Sequence, residues 1–359
     1  MKKGSISLSS GGDEASFERQ INSNSIRRRY LKTFWLLLLG VLAIIALILG
    51  LSSGAVSVSV AQIITGESSE LERTVFSEIR SPRVVLAGFV GASLAIAGAV
   101  LQGLFRNPLA DPGLIGVSSG AALGAIAMIV VGSALSIPES VLPFSLPLAA
   151  ITGAIVVTLF LYAFAAYFGQ FSILTVLLVG IAVNALAGVG IGAFQYLSDD
   201  SQLRTLVFWM MGSFGRANWE SVLPAAIVMG IGITVLFQHA KNLDRLQLGE
   251  AEAAHLGVDV KQTKRIIILL SAAIVGAGVS LSGIIGFVGL VVPHLARLML
   301  GSAHSLVLPG SIMIGLTLMI MADLVARTLA VPAEIPVSLV TSALGAPFFL
   351  WLIARARPR

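Results

Sequence analysis

The 359 residues are 56% hydrophobic and 11% charged. A soluble domain carries about 25% charged residues, so water is excluded as the main solvent. The absence of Cys excludes disulfides, thiolate metal sites and Cys nucleophiles. The net charge of +5 would suit nucleic acid, but no soluble basic domain is present to hold it, and membrane topology accounts for the excess better.

Residues 1–33 are polar and Ser-rich and end in Arg27, Arg28, Arg29 and Lys32, which predicts a mobile cytoplasmic tail. The first apolar run follows at 34–52. No clear small-x-small cleavage site follows it, so it reads as a span and not as a signal peptide. Further runs lie at 84–104, 112–132, 144–166, 173–197, 221–238, 266–286, 287–300, 306–326 and 337–354. Most approach the roughly 20 residues that a helix needs to cross a hydrocarbon core. They are too long and too evenly apolar for barrel strands, so the expected fold is an all-α, polytopic membrane bundle of about ten helices over 34–354. The run 287–300 is short and carries Pro293, which makes it the least regular of the ten.

Both chain ends are basic, the C-terminal one (355–359) through Arg355, Arg357 and Arg359, which predicts both in the cytoplasm and an even number of spans. In that topology most of the 23 Lys and Arg lie inside, leaving Arg73, Arg80, Arg83, Arg204, Arg216 and Arg327 outside. Two internal patterns stand out. Gly116, Gly120 and Gly124 form a GxxxGxxxG face suited to close helix packing. A shift of 180 residues lays Gly98-x-x-Leu101-x-Gly103 on Gly278-x-x-Leu281-x-Gly283, with Ala92 on Ala272 and Ala97 on Ala277. The two copies would run in opposite directions, as in the inverted repeats of many transporters, although small residues also match by chance.

The longest cytoplasmic connection, 239–265, contains Leu248-Gly-Glu-Ala-Glu-Ala-Ala-His-Leu-Gly257. Ala, Glu and Leu favour a short helix at the membrane surface, with Gly257 as its C-terminal cap; the plain alternative is a solvated turn. The functional expectation is a lever gripped by a soluble partner.

This segment up to Val258 resembles the coupling segment of the iron-siderophore, haem and vitamin B12 permease family of ABC importers. Similar in the same way are Arg80-Ser-Pro-Arg83, Gly98-Ala-Val-Leu-Gln102, Asn107-Pro-Leu-Ala-Asp-Pro-Gly113, Gly286-Phe-Val-Gly-Leu-Val-Val-Pro-His294, Ala322-Asp-Leu-Val-Ala-Arg327 and Leu344-Gly-Ala-Pro-Phe348. The resemblance spans residues 80–354 and implies a type II importer permease in the bacterial cytoplasmic membrane. Such a ten-helix subunit pairs with a second permease, here expected to be an identical copy, with two ATPase subunits below and an extracytoplasmic substrate-binding protein above. It implies no cofactor in this chain, ATP and Mg being bound by the ATPase. Consistent with that division, the sequence has no G-x-x-x-x-G-K-[ST] phosphate loop.

The family also implies site roles. Gly249, Glu250, Glu252, Ala253, His255 and Gly257 would couple to the ATPase. Arg80, Arg83 and Arg327 would meet carboxylates of the binding protein, a task for which the planar guanidinium is suited; snorkelling at span ends is the plain alternative. Asn107 and Leu109, with Ser172 beside them, would form a cytoplasmic gate, although Ile173 and Leu174 stand where some relatives have smaller polar residues, and 107–112 reads equally well as a tight turn.

Asn184 and Asp323 are the polar residues most deeply set in apolar runs; Asn184 would face the translocation path, and Asp323 would pair with Arg327 four residues on. His239, His255, His294 and His304 do not have metal-ligand spacing; three are expected on cytoplasmic loops and His294 in a structural hydrogen bond. The outer segment Asp199 to Ser213, with Trp209, Met210 and Met211, and the run Val331-Pro-Ala-Glu-Ile-Pro336 look similar to haem-type members, which makes haem the expected cargo over ferric siderophore or vitamin B12. Trp209 could equally be an interfacial anchor. An ion-coupled carrier would need buried carboxylates beyond Asp323, and a membrane enzyme would need a catalytic constellation such as H-E-x-x-H or G-x-S-x-G, which the sequence lacks.

Overall fold

A computed structural model describes residues 11–54, 59–167 and 173–355, which form helices and no strand. Ten long helices follow the ten apolar runs: α1 (Gly11–Ser52), α2 (Ser81–Phe105), α3 (Val117–Val131), α4 (Leu142–Tyr167), α5 (Ile173–Leu197), α6 (Trp219–Gln238), α7 (Val260–Ser282), α8 (Val288–Leu300), α9 (His304–Thr328) and α10 (Val337–Arg355). By length and hydropathy α1, α2, α4, α5, α6, α7 and α9 can each cross a membrane, while α3, α8 and α10 are shorter apolar helices. α1 begins at Gly11, inside the stretch whose composition predicts a tail. α2 is extended backwards through a π-helical turn, Val75–Arg80, to Glu70.

Side-chain caps set several helix starts: Asn218 Oδ1 accepts from the Ser221 amide (3.0 Å) before α6, and Asp259 Oδ1 from the Gln262 amide (2.9 Å) before α7.

α2 is the axis of the bundle. Within its most apolar window 89% of residues are buried, against 17% for α1, so α1 lies at the edge of the bundle and α2 inside. Small residues make that possible. A Cβ on Gly91 would lie 2.8 Å from the carbonyl carbon of Gly315 in α9, and one on Gly98 would lie 2.6 Å from that of Gly289 in α8, so both contacts are backbone against backbone. The GxxxG face works similarly between α3 and α4, where a Cβ on Gly120 would meet the Gly153 carbonyl oxygen at 2.7 Å. Gly116 instead caps α3 at φ 83.

The apolar run expected over 266–286 breaks at Ser282. Gly283 has φ 73, and a Cβ there would press on the carbonyl of Trp209, so the chain leaves the helix where two backbones meet. Pro293, by contrast, does not break α8. The carbonyl left without a helical donor by a proline at 293 is that of Gly289, and Gln102 Nε2 supplies the bond at 3.1 Å. One glutamine of α2 thereby repairs the α8 ladder, and its Oε1 accepts from Arg297 a turn further on.

α2 and α7, which carry the 180-residue echo, pack together in opposite directions. The C-terminal end of α2 and the N-terminal end of α7 both lie beside the 239–259 connection. The N-terminal end of α2 meets the C-terminal end of α9 at the opposite pole.

Candidate functional site

The distal pole holds an ion cluster. Arg83 Nε donates to both carboxylate oxygens of Asp323 at 3.0 Å, and Nη2 donates to Oδ1 at 2.8 Å. The same guanidinium donates to Glu334 from Nη1 to Oε1 (2.7 Å) and from Nη2 to Oε2 (3.0 Å). Arg327 Nε stands 3.5 Å from Asp323 Oδ2, and its Nη2 donates to the Gly50 carbonyl. Arg80 Nη1 donates to the carbonyls of Leu51 (3.1 Å) and Ser52 (2.7 Å). The arginines expected at an outer docking face are therefore brought together, but with their side chains covered: Arg80 is 3% exposed and Arg83 7%. The expected pairing of Asp323 with Arg327 is present, yet Arg83 holds that carboxylate more closely. Gly91 and Gly315 bring α2 and α9 near enough for a planar fork to reach across.

The opposite pole holds the segment expected to couple to a partner. Glu250–His255 is the expected short helix, entered through Gly249 at φ 132 and left through Gly257 at φ 83, both conformations that favour glycine. Ala253 is fully buried, anchoring the helix, and Glu250 accepts from Lys264 Nζ at 2.6 Å. Glu252 and His255 point outward, flanked by Leu248 and Leu256 at 66% and 51% exposure. Exposed leucines beside charged groups make a surface suited to a protein partner.

What sequence reasoning missed here is the linkage behind the lever. Asp244 Oδ1 accepts from the His304 amide at 2.8 Å and faces His304 Nδ1 at 2.7 Å, so the segment is tied to the first residue of α9. Gln247 Nε2 donates to the Gly103 carbonyl at 2.7 Å, tying it to the last turn of α2. The His304 ring lies against Gly103, where an added Cβ would fall 3.2 Å from two ring carbons. The segment is thus tied to the ends of both α2 and α9 through short, partly buried contacts. If the segment couples to an ATPase as the resemblance implies, Asp244→Ala is expected to leave ATP hydrolysis by the assembled transporter in place while cutting uptake per ATP about tenfold, within the range typical of coupling between sites. Paired measurements of hydrolysis and uptake in vesicles check it.

Of the expected gate, Asn107 Oδ1 accepts from the Leu109 amide at 2.9 Å, an Asx turn beneath α2, and Leu109 is 52% exposed. Ser172 lies outside the described residues. Asn184 donates to the Gly113 carbonyl at 3.1 Å and accepts from the Ser119 hydroxyl, so its amide bonds α5 to α3 and to the turn before it. His294 packs edge-on to Phe348, with ring centres 6.4 Å apart. His304, expected on a loop, opens α9. Among the described residues no group of three His, Cys, Asp or Glu could hold a metal ion.

Beside the distal cluster lies a cavity of about 470 Å³, bordered by Trp209, Ser213, Arg216, Asn218 and Glu334. Glu334 is another residue that sequence reasoning left without a role. Its signal was available, since it is the only acid between Asp323 and the C-terminus.

A many-helix bundle with an ion cluster at one pole and an exposed, braced lever at the other has the layout of a transport subunit driven by a partner. Residues 42–355 match the FecCD transport family, and the chain belongs to it. It is 45% identical over 325 residues to the hemin transport system permease protein HmuU of Yersinia pestis, covering 89% of this chain and 96% of that one. It is 42% identical to the cobalamin import system permease protein BtuC of Halobacterium salinarum, covering 79% and 74%. A solved inward-facing ABC transporter of metal-chelate type superposes with a TM-score of 0.80 at 36% identity, over 89% of this chain and 98% of that one. The chain is a permease subunit of an ABC importer in the membrane, and not the subunit that hydrolyses ATP.

Proposed function

We propose that this permease carries haem across the bacterial cytoplasmic membrane by alternating access, as one of two identical copies. The observation that carries the cargo is the match to a hemin permease along 96% of its length.

In this scheme both termini lie in the cytoplasm. Two ATPase subunits bind ATP and Mg and grip Gly249, Glu250, Glu252, Ala253, His255 and Gly257, and an extracytoplasmic binding protein docks over Arg80, Arg83 and Arg327. ATPase closure would shift the coupling helix as a rigid body and, through Asp244 and Gln247, bias the bundle between two openings. Asn107, Leu109 and Ser172 would close the path at the coupling pole, and Asn184 would border it. Vitamin B12 is the second reading, favoured by the 42% identity to a cobalamin permease, and ferric siderophore the third.

The test is reconstitution of the chain with its ATPase and binding protein in lipid vesicles. Haem is expected to stimulate ATP hydrolysis several-fold more than vitamin B12 or ferric siderophores. Stimulation by vitamin B12 alone would move the cargo to the second reading.

A further inference from the structure

The arginines proposed to meet a partner's carboxylates are covered in this structure, and the cover on Arg83 is itself a carboxylate. Arg83 holds two acids in different settings. The Asp323 side chain is 2% exposed and takes its bonds from inside the bundle; that of Glu334 is 43% exposed and approaches from the surface. Glu334 stands on the connection between α9 and α10, above Gly215, where an added Cβ would come within 3.0 Å of Oε2. A partly exposed ion pair is weakened by water, so one carboxylate can replace another there with little change in energy.

We propose that Glu334 is a built-in competitor: it occupies the face of Arg83 that an acidic side chain of the extracytoplasmic binding protein takes on docking. The proposal rests on the docking role given above. The exchange is one carboxylate for another at a single guanidinium, so no proton moves and Asp323 stays paired throughout.

Displacement has a mechanical result. The start of α10 is held by the backbone bonds Ile335 N to Ala326 O (2.9 Å), Val337 N to Gly212 O (3.0 Å) and Ser338 N to Met211 O (3.2 Å). The Glu334 to Arg83 tie adjoins them, and Glu334 also borders the 470 Å³ cavity. Once Glu334 lets go, one tie on the connection and on that wall of the cavity is lost, so docking itself loosens both.

The test measures binding of the cognate binding protein to the complete transporter in lipid nanodiscs. Wild type is compared with Glu334→Gln, Glu334→Ala and the charge-balanced pair Arg83→Gln with Asp323→Asn. Both Glu334 variants are expected to bind about tenfold tighter, chiefly through faster association, and the Arg83 pair about tenfold more weakly. In wild type, deuterium uptake over 329–336 is expected to rise on docking. If the Glu334 variants bind no tighter while the Arg83 pair weakens, the competition is wrong and docking stands. If neither change alters binding, the docking role falls and the competition with it.

Discussion

Asp323→Ala is expected to destabilise the protein by about 3–5 kcal/mol, the cost of leaving a buried charge without its partner. Arg83 would lose three of its bonds, and Arg327 Nε its nearest acid, while both guanidinium groups stayed covered. Glu334 alone cannot compensate, because it approaches from the exposed side. Replacing Arg83 with Gln and Asp323 with Asn together removes that buried pair and keeps hydrogen-bonding groups in place but leaves Arg327 without its acid, so the double change is expected to recover part of the loss. Thermal unfolding of the purified protein in detergent separates the two cases. Equal damage from the single and the paired change would show that side-chain packing, and not charge, holds the pole together.

The second large effect is expected from Gly98→Ala. The added methyl would sit 2.6 Å from the Gly289 carbonyl carbon, and neither partner is a side chain that could swing aside. Moving α8 away also strains the bond from Gln102 that completes its ladder at Pro293. Overpacking and one compromised buried carbonyl together cost about 2–6 kcal/mol. Gly188→Ala in α5 is the control, since nothing lies within 4 Å of a Cβ there, and it is expected to be nearly neutral. Comparable loss in both variants would mean that backbone freedom, and not the α2 to α8 contact, decides the outcome.

These two cases mark what a sequence can and cannot disclose. Helix length and hydropathy are local properties, so the ten runs and the short coupling helix with Gly257 after it were legible. The close approach of Gly98 was hinted at by its motif and its echo at Gly278, though not its partner. Arg83, Asp323 and Glu334 lie 240 and 251 residues apart, and nothing local joins them. The sequence offered Arg327 for Asp323 because four residues make one helical turn; the tertiary contact takes precedence because a close α2–α9 crossing brings a better fork. The break at 283–287 was read a few residues late, between 286 and 287, since apolar composition carries no trace of where two backbones must touch. Asp244 and Gln247 looked like ordinary polar residues of a cytoplasmic loop until the ends of α2 and α9 were placed beside them.

The shortness of α3 and α8 has an electrical meaning. With 15 and 13 residues they reach about 22 and 20 Å, well under a hydrocarbon core of about 30 Å. Wherever water reaches both ends of such a helix, the membrane voltage falls over about two thirds of the usual thickness. The work of moving an elementary charge from side to side is unchanged at about 2.3 kcal/mol per 100 mV, but the gradient is steeper across the thin section. A leak there would dissipate the voltage over a shorter route, so any path beside them must exclude ions as well as pass cargo.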